Sequence, residues 1–383
     1  MTTIMKVGQD ILDTWATDPG GPVALHLKQE LLPVGSVGDV NRVVFPPTYA
    51  DIGYNIDTLS DGSAVATVDS VGSQANRIEP IFKAAADKRQ DWLVPQLEIE
   101  IHDGERLSIL DLAHRAGDAV VRASNLAPDI EKAFQELRKT GDVGPLCKIA
   151  PTSLLFGVWD SRGTHEKRPR LVRALIRAWD VEPLHSTAQF TSAWKALDEA
   201  QRTELENEAK ARKVKLSEKG FADAPAVFRK TPPQVLRYRD GAANPAARVL
   251  GGVLVRGRIE REVTVNLIAL RGLRGNNDEE TGHIHKYLLG LSLVAATADI
   301  DLYLREGCHL HYAGEDEWCA VPRRGEPRQV DLSSADARAL IQDYARNASG
   351  HFRNMWPAET VFKFDIKKAK LLLANKEDDE TGE

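Results

Sequence analysis

Twice along this chain an alternating apolar–polar segment leads into a helix-period segment and then into another alternating one. No other feature restricts the fold as much. Val23-Ala-Leu-His-Leu27 alternates as a strand does. Ile78, Ile81, Phe82 and Ala85 then share one helical face, with Pro80 tolerable in a first turn. Leu97-Glu-Ile-Glu-Ile101 alternates strictly and closes the first unit. In the second, residues 253–270 read as strand, and 281–298 as a helix with Tyr287, Leu288, Leu291, Val294 and Ala295 on one side. Ile300, Leu302 and Leu304 alternate after it. Two split β-α-β units predict an α+β fold, a ferredoxin-like sheet with large insertions.

The insertions fall at 33–66 and 107–250, within a single domain spanning 1–383. The first holds Pro33, Pro46 and Pro47 with Val43, Val44, Phe45, Tyr49 and Tyr54 among them. It reads as a long hairpin, because compact domains rarely carry structureless connections of that length. The second reads as largely helical, over 107–139, 168–181 and 193–219, ending in a Pro-, Gly- and Arg-rich connection over 222–251. Residues 376–383 (KEDDETGE) form an acidic tail expected to be disordered.

The chain is 42% apolar and 28% charged, ample for a large core. No apolar run approaches the ~18 residues that cross a bilayer. The first residues show no secretory signal. Cys147, Cys308 and Cys319 lack Cys-x-x-Cys spacing, so a reducing, cytoplasmic setting without disulfides is expected. Net charge is −6, yet residues 162–274 carry 23 basic and 13 acidic side chains against 7 and 14 in residues 1–100. Phosphate backbones respond to local potential, so the central segment is able to bind a polyanion, although an unevenly charged solvated surface has the same composition.

Two basic features stand out. In WDSRGTHEKRPRLVRALIRAW (159–179), helical spacing puts Leu171, Ala174, Leu175 and Ala178 on a core face and Arg170, Arg173 and Arg177 on another, with Arg162, Lys167 and Arg168 in the preceding loop. The second comprises Arg256, Arg258 and Arg261, then Arg271 and Arg274 beside Gly272 and Gly275. Its Arg-Gly-Leu-Arg-Gly lacks the spacing of a phosphate-binding loop or dinucleotide fingerprint.

Catalytic and metal readings are poorer. His283, His285, Cys308, His309, His311 and Cys319 cluster in sequence, but in no spacing typical of zinc. Asp160, Ser161 and His165 include triad residue types without a nucleophile elbow. Ser70 and Ser73, in DSVGSQANRIEP (69–80), are better explained as helix caps.

SVGSQANRIEP (70–80), LLFGVWDSRG (154–163), KRPRLVRALIRAW (167–179), VNLIALRGLRG (265–275) and LGLSLVAATADIDLYLREG (289–307) together resemble one family. It is the repeated backbone subunit of the type I-G (formerly I-U) CRISPR effector, or Cascade, complex, in the RAMP superfamily. The resemblance runs from about 20 to about 310. It implies an RRM-like palm with finger and thumb insertions, 33–66 being the candidate thumb or finger. It also implies a subunit without catalytic activity or cofactor that polymerises along CRISPR RNA in antiviral defence. The guide stays free to pair with a target DNA strand, because base pairing reads sequence while the protein grips phosphate and sugar.

Further copies of the chain, a large subunit, a guide-end-capping subunit and a helicase-nuclease are the implied partners; no membrane is. Carried onto this sequence, Ser73, Gln74, Asn76 and Arg77 become candidate RNA contacts, with Arg42, Arg162, Lys167, Arg168, Arg271 and Arg274 behind them. The chain departs from the superfamily pattern in lacking a Gly-rich loop before the last palm strand. The rivals are a RAMP-type ribonuclease using His165 as general base and a metalloenzyme built on the His and Cys cluster.

Overall fold

The computed structural model describes residues 4–36, 42–49, 52–161, 163–186, 193–219, 221 and 249–374. Four strands make the centre of its main sheet. These are β1 (Ala24–Pro33), β2 (Val172–Trp179), β3 (Ile259–Asn266) and β4, which is Cys308–Tyr312 followed by Glu317–Val321. All pair antiparallel, in the lateral order β4-β1-β3-β2. Helix α1 (Val71–Ile78) lies in the connection from β1 to β2, and α2 (Asp278–Thr297) in that from β3 to β4. α1 packs on β2, α2 on β2 and β3, and α3 (Ala335–Arg353) along α2. The class is α+β, as the sequence leads one to expect.

The period of two decides what each strand buries. Leu25, Leu27 and Leu31 of β1, Val172, Ala174, Ile176 and Ala178 of β2, and Ile259, Val263 and Val265 of β3 form one apolar layer under the helices. The opposite face keeps His26, Lys28, Glu262, Thr264, Arg173 and Arg177 at least partly in solvent. One charge sits inside the apolar layer. Arg261 is fully buried; its Nη1 donates to Gln29 Oε1 at 2.6 Å and its Nε to Gln74 Oε1 at 3.0 Å. Gln29 and Gln74 donate in turn to Asp316 and Asp69, each at 2.7 Å. Two neutral amides thus link a buried guanidinium to two carboxylates.

Close helix packing depends on Gly290 in the middle of α2, where an added Cβ would lie 2.8 Å from Ala345 Cα of α3. Overpacking costs about 1–3 kcal/mol, while Gly→Ala gains about 1 kcal/mol of helix propensity. Gly290→Ala is therefore expected to destabilise by up to about 2 kcal/mol in chemical denaturation. A raised midpoint would show that α3 yields without cost.

Several sequence expectations are corrected. Residues 168–181 are not a helix: β2 runs through them. Leu171, Ala174, Leu175 and Ala178 fit a helical period, but Val172, Ala174, Ile176 and Ala178 fit the strand period equally. Pairing with β3 on one edge and with Ala64–Asp69 on the other favours the β-branched reading. The described residues of the 107–250 segment are therefore not a largely helical insertion, since they include a central strand as well as helices such as Ala127–Thr140 and Glu199–Ala211.

Glu98–His102 is a strand but not of this sheet, for it pairs with Glu105–Ser108 and Val361–Lys363. Alternation marks a strand without naming its neighbours. The helix expected around 78–85 lies earlier, over 71–78, and Pro80 sits only in a tight turn over Glu79–Phe82. Within 33–66, Arg42–Val44 joins a small sheet with Val181–Ser186 and Val249–Val255. Ile56–Thr58 pairs with Ala64–Asp69, which extends the main sheet beyond β2. Residues 37–41, 50–51, 222–248 and the acidic tail at 376–383 lie outside the described residues. Among those described, no helix is long and apolar enough to cross a membrane.

Candidate nucleic-acid interface

The start of α1 is built as a capped helix. Ser70 is its N-cap, its Oγ accepting from Ser73 N–H at 3.2 Å, and the two hydroxyls lie 3.1 Å apart. The polar residues that follow point mainly inward. Gln74 is fully buried between Asp69 and Arg261, so it is corrected from RNA donor to structural link. Arg77 donates from Nε to Asp69 Oδ2 at 3.1 Å and from Nη2 to the Leu304 carbonyl at 2.8 Å. Arg305 reaches the other Asp69 oxygen at 3.2 Å. Asp69, itself fully buried, gathers these donors and ties the end of its strand to α1 and the segment before β4.

Asn76 alone in the motif is well exposed, and its Oδ1 accepts from Arg115 Nη2 at 3.2 Å. Arg115 is a residue the sequence reading missed. Its backbone is left-handed (φ 54°), a conformation that a non-glycine residue keeps only where its surroundings hold it. Its guanidinium is nearly buried, ion-paired to Glu79 at 2.6 Å and set 5.3 Å from the Phe156 ring centroid. Burial pushes the Glu79 carboxyl up to about 7 against the pull of Arg115, and burial also lowers the Arg115 guanidinium.

Arg115 forms part of a cavity of about 480 Å³, lined also by His114, Trp159, Lys167, Arg168 and Arg170, with no carboxylate in the lining. Its wall is the two-stranded ribbon Val158–Trp159 and Lys167–Arg168, in register Val158↔Arg168 and Trp159↔Lys167. Asp160 holds the turn of this ribbon. Its carboxylate accepts from Thr164 N–H at 2.7 Å and Thr164 Oγ1 at 2.9 Å, and pairs with Arg122 at 3.2 Å. The carboxylate is thus committed to structure, and His165, exposed with φ 60°, meets Asp160 through its backbone N–H to the Asp160 carbonyl. Gly117 lies against the ribbon so closely that a Cβ would stand 2.7 Å from the Trp159 carbonyl oxygen.

The remaining candidates scatter. Lys167 and Arg168 line the cavity. Arg162, from the same loop, lies outside the described residues. Arg271 is corrected to a tie between segments, since Nη1 donates to the Trp15 carbonyl at 2.9 Å and Nη2 to the Pro22 carbonyl at 2.6 Å. Arg42 donates to the Gly257 carbonyl at 3.4 Å and stands 3.9 Å from Glu30. Arg274 is exposed but takes no part in the cavity lining. Arg256 and Arg258, in the segment expected as strand over 253–270, occupy the turn before β3 and pair with Glu182 at 2.5 Å and Glu260 at 3.0 Å. Arg173 and Arg177 share the open sheet face, Arg177 standing 3.6 Å from Glu262.

A larger cavity, about 600 Å³, opens beside β1 and is lined by Glu30, Glu260, Glu315, Asp316 and Glu317 against Lys28 and Arg258. Its net negative lining repels phosphate, so size does not choose the polyanion site; charge does. The histidines and cysteines separate. His283 stacks on His351 with centroids 3.7 Å apart, His285 meets the Leu273 carbonyl at 2.8 Å, and burial pushes the Cys308 thiol up to about 11. Among the described residues no three potential ligands converge on a metal position.

No curated protein matches the chain. One chain of a solved structure titled "CRISPR RNA-guided surveillance complex, pre-nicking" is similar over 92% of this chain and 99% of its own, at 12% identity and a TM-score of 0.33. A likeness that distant carries no assignment. Residues 25–183, less than half of the chain but including β1, α1, the ribbon and β2, match the family model of CRISPR-associated protein GSU0053.

Proposed function

We propose that this protein is a non-catalytic backbone subunit of a type I CRISPR interference complex, of the I-G kind, binding guide RNA through the basic cavity beside Trp159. The observation carrying this reading is that cavity, whose lining joins four cationic side chains and an exposed indole without one acid. Support also comes from the similarity of residues 25–183 to a CRISPR-associated family. The strand order β4-β1-β3-β2, with helices in the first and last connections, is what a RAMP-type palm of ferredoxin topology requires. Further copies of the chain, CRISPR RNA, the target DNA strand and other effector subunits are the partners this role calls for, in the cytoplasm.

The test is direct. Tagged protein purified from its host should carry RNA, and sequencing should return repeat-derived guides of uniform length. Binding should weaken steeply with salt and be largely indifferent to sequence, because counterion release dominates phosphate contacts. Protein that emerges without RNA, and binds none at low salt, would reject the role.

A further inference from the structure

We infer that Trp159 is a stacking platform for one unpaired base of a single-stranded nucleic acid, whose adjoining phosphate is taken by Arg168 and Arg170. The inference rests on the RNA-binding reading above and deepens it to one subsite. Trp159 is 54% exposed, a large apolar area for a residue type usually highly buried. Its backbone, by contrast, is fixed by pairing with Lys167, by contact with Gly117 and by the Asp160 turn. A rigid platform needs little ordering when a base arrives, so stacking energy is not spent on immobilising the protein.

The ring face already attracts a cation. Lys167 Nζ lies 4.5 Å from the ring centroid, on a flexible stem in an exposed position. A base sliding over the indole displaces this ammonium, which then stands free beside the strand it has admitted. The cavity also contains a donor without an acceptor. Arg168 Nε is buried and, among the described residues, lacks a hydrogen-bond partner and has one ion pair, a 3.6 Å contact from Nη2 to Glu166. Arg170 is exposed on the same lining. A phosphate oxygen supplies the missing acceptor, and a planar base supplies the missing cover for the indole.

Charge alone would suit any polyanion; the exposed indole makes the choice. A duplex keeps its bases stacked inside, and a sulfated glycan has none, so neither gains from Trp159. A single strand does, whatever its sequence, because every base has a π face.

Full-length protein, freed of bound RNA, is titrated with fluorescent oligouridine, with a duplex RNA of the same length and with heparin as competitor. Trp159→Ala is expected to weaken oligouridine binding roughly 5- to 150-fold and Trp159→Phe by less than about 5-fold. Duplex and heparin affinities should stay within about twofold in both variants. Wild-type protein irradiated with 5-iodouridine RNA should cross-link at Trp159, identified by mass spectrometry. This arm decides even where the alanine variant folds poorly. Equal oligouridine affinity for wild type and Trp159→Ala, or cross-links only at other residues, would overturn the subsite while leaving RNA binding intact. No binding of any RNA by wild type would instead reject the function itself, and the subsite with it.

Discussion

Glu79→Gln is expected to stabilise the protein by roughly 3 kcal/mol at pH 8 and to change it little at pH 4.5. The change keeps shape and removes only the ionisation that burial opposes, since the folded state pushes this carboxyl up to about 7. The amide oxygen still accepts from Arg115, as a protonated carboxyl does. Arg115→Met should cost little at neutral pH, because Glu79, released from the pull of Arg115, keeps its proton and stays neutral. Replacing both residues with apolar ones of similar volume should be close to neutral or stabilising. Urea denaturation of the two single variants and the double variant at both pH values would measure the coupling. A Glu79→Gln variant less stable than wild type at pH 8 would refute this reading.

A pH dependence goes with it. The folded state holds the Glu79 proton more tightly than the unfolded chain, whose carboxyl titrates near its ordinary 4.5. This group's contribution is therefore fully present below about 4.5 and is lost as pH rises through about 7. Glu79→Gln should flatten that part of the stability curve, and a curve of unchanged slope would contradict the assignment.

The largest effect on binding is expected from removing Arg168 and Arg170 together. A hydrogen bond to a charged group contributes about 1.5–3 kcal/mol, so the double alanine variant should lose roughly 100-fold or more in RNA affinity at low salt. Each lost contact with a single strand should also make the plot of log affinity against log salt shallower by about 0.7. Arg324→Ala, exposed and outside the cavity lining, controls for general loss of positive charge. Equal losses in the control and the double variant would mean that the protein holds RNA by diffuse charge and not at this cavity.

Much of the fold was legible because strands and helices have different periods. β1, β3 and α2 lie close to where alternation and helical spacing put them. β2 was not legible, since its apolar residues satisfy both periods and only its two neighbouring strands decide between them. The same ambiguity hid the site: with 168–181 read as a helix, Arg168 and Arg170 belonged to a loop and a helix face and not to one cavity wall. Lys167 and Arg168 were identified by local charge, which survives a wrong secondary structure. Gln74 and Arg271 were misassigned because the sequence does not reveal that their donors are taken up by Asp69 and by the carbonyls of Trp15 and Pro22, and nor does it reveal the ties of Arg77 to Asp69 and Leu304. Arg115 gave no local signal, as its role comes from a left-handed turn and a carboxylate 36 positions earlier.

Arg261 bears on how the chain finds its sheet at all. β3 sets it opposite Gln29 on β1 and Ile176 on β2. A slip of two residues along β1 would keep every side chain on its proper face, so apolar burial alone scarcely opposes it. Such a slip would bring Arg261 against Leu27 or Leu31, where no amide waits to accept from it. A misaligned sheet therefore takes from a buried charge one of its two amide acceptors, leaving Gln74 alone, and the aligned one keeps both. The buried arginine acts as a proofreading key: it adds little to the depth of the native well but raises the competing ones, so that a long chain with distant strands closes in one alignment.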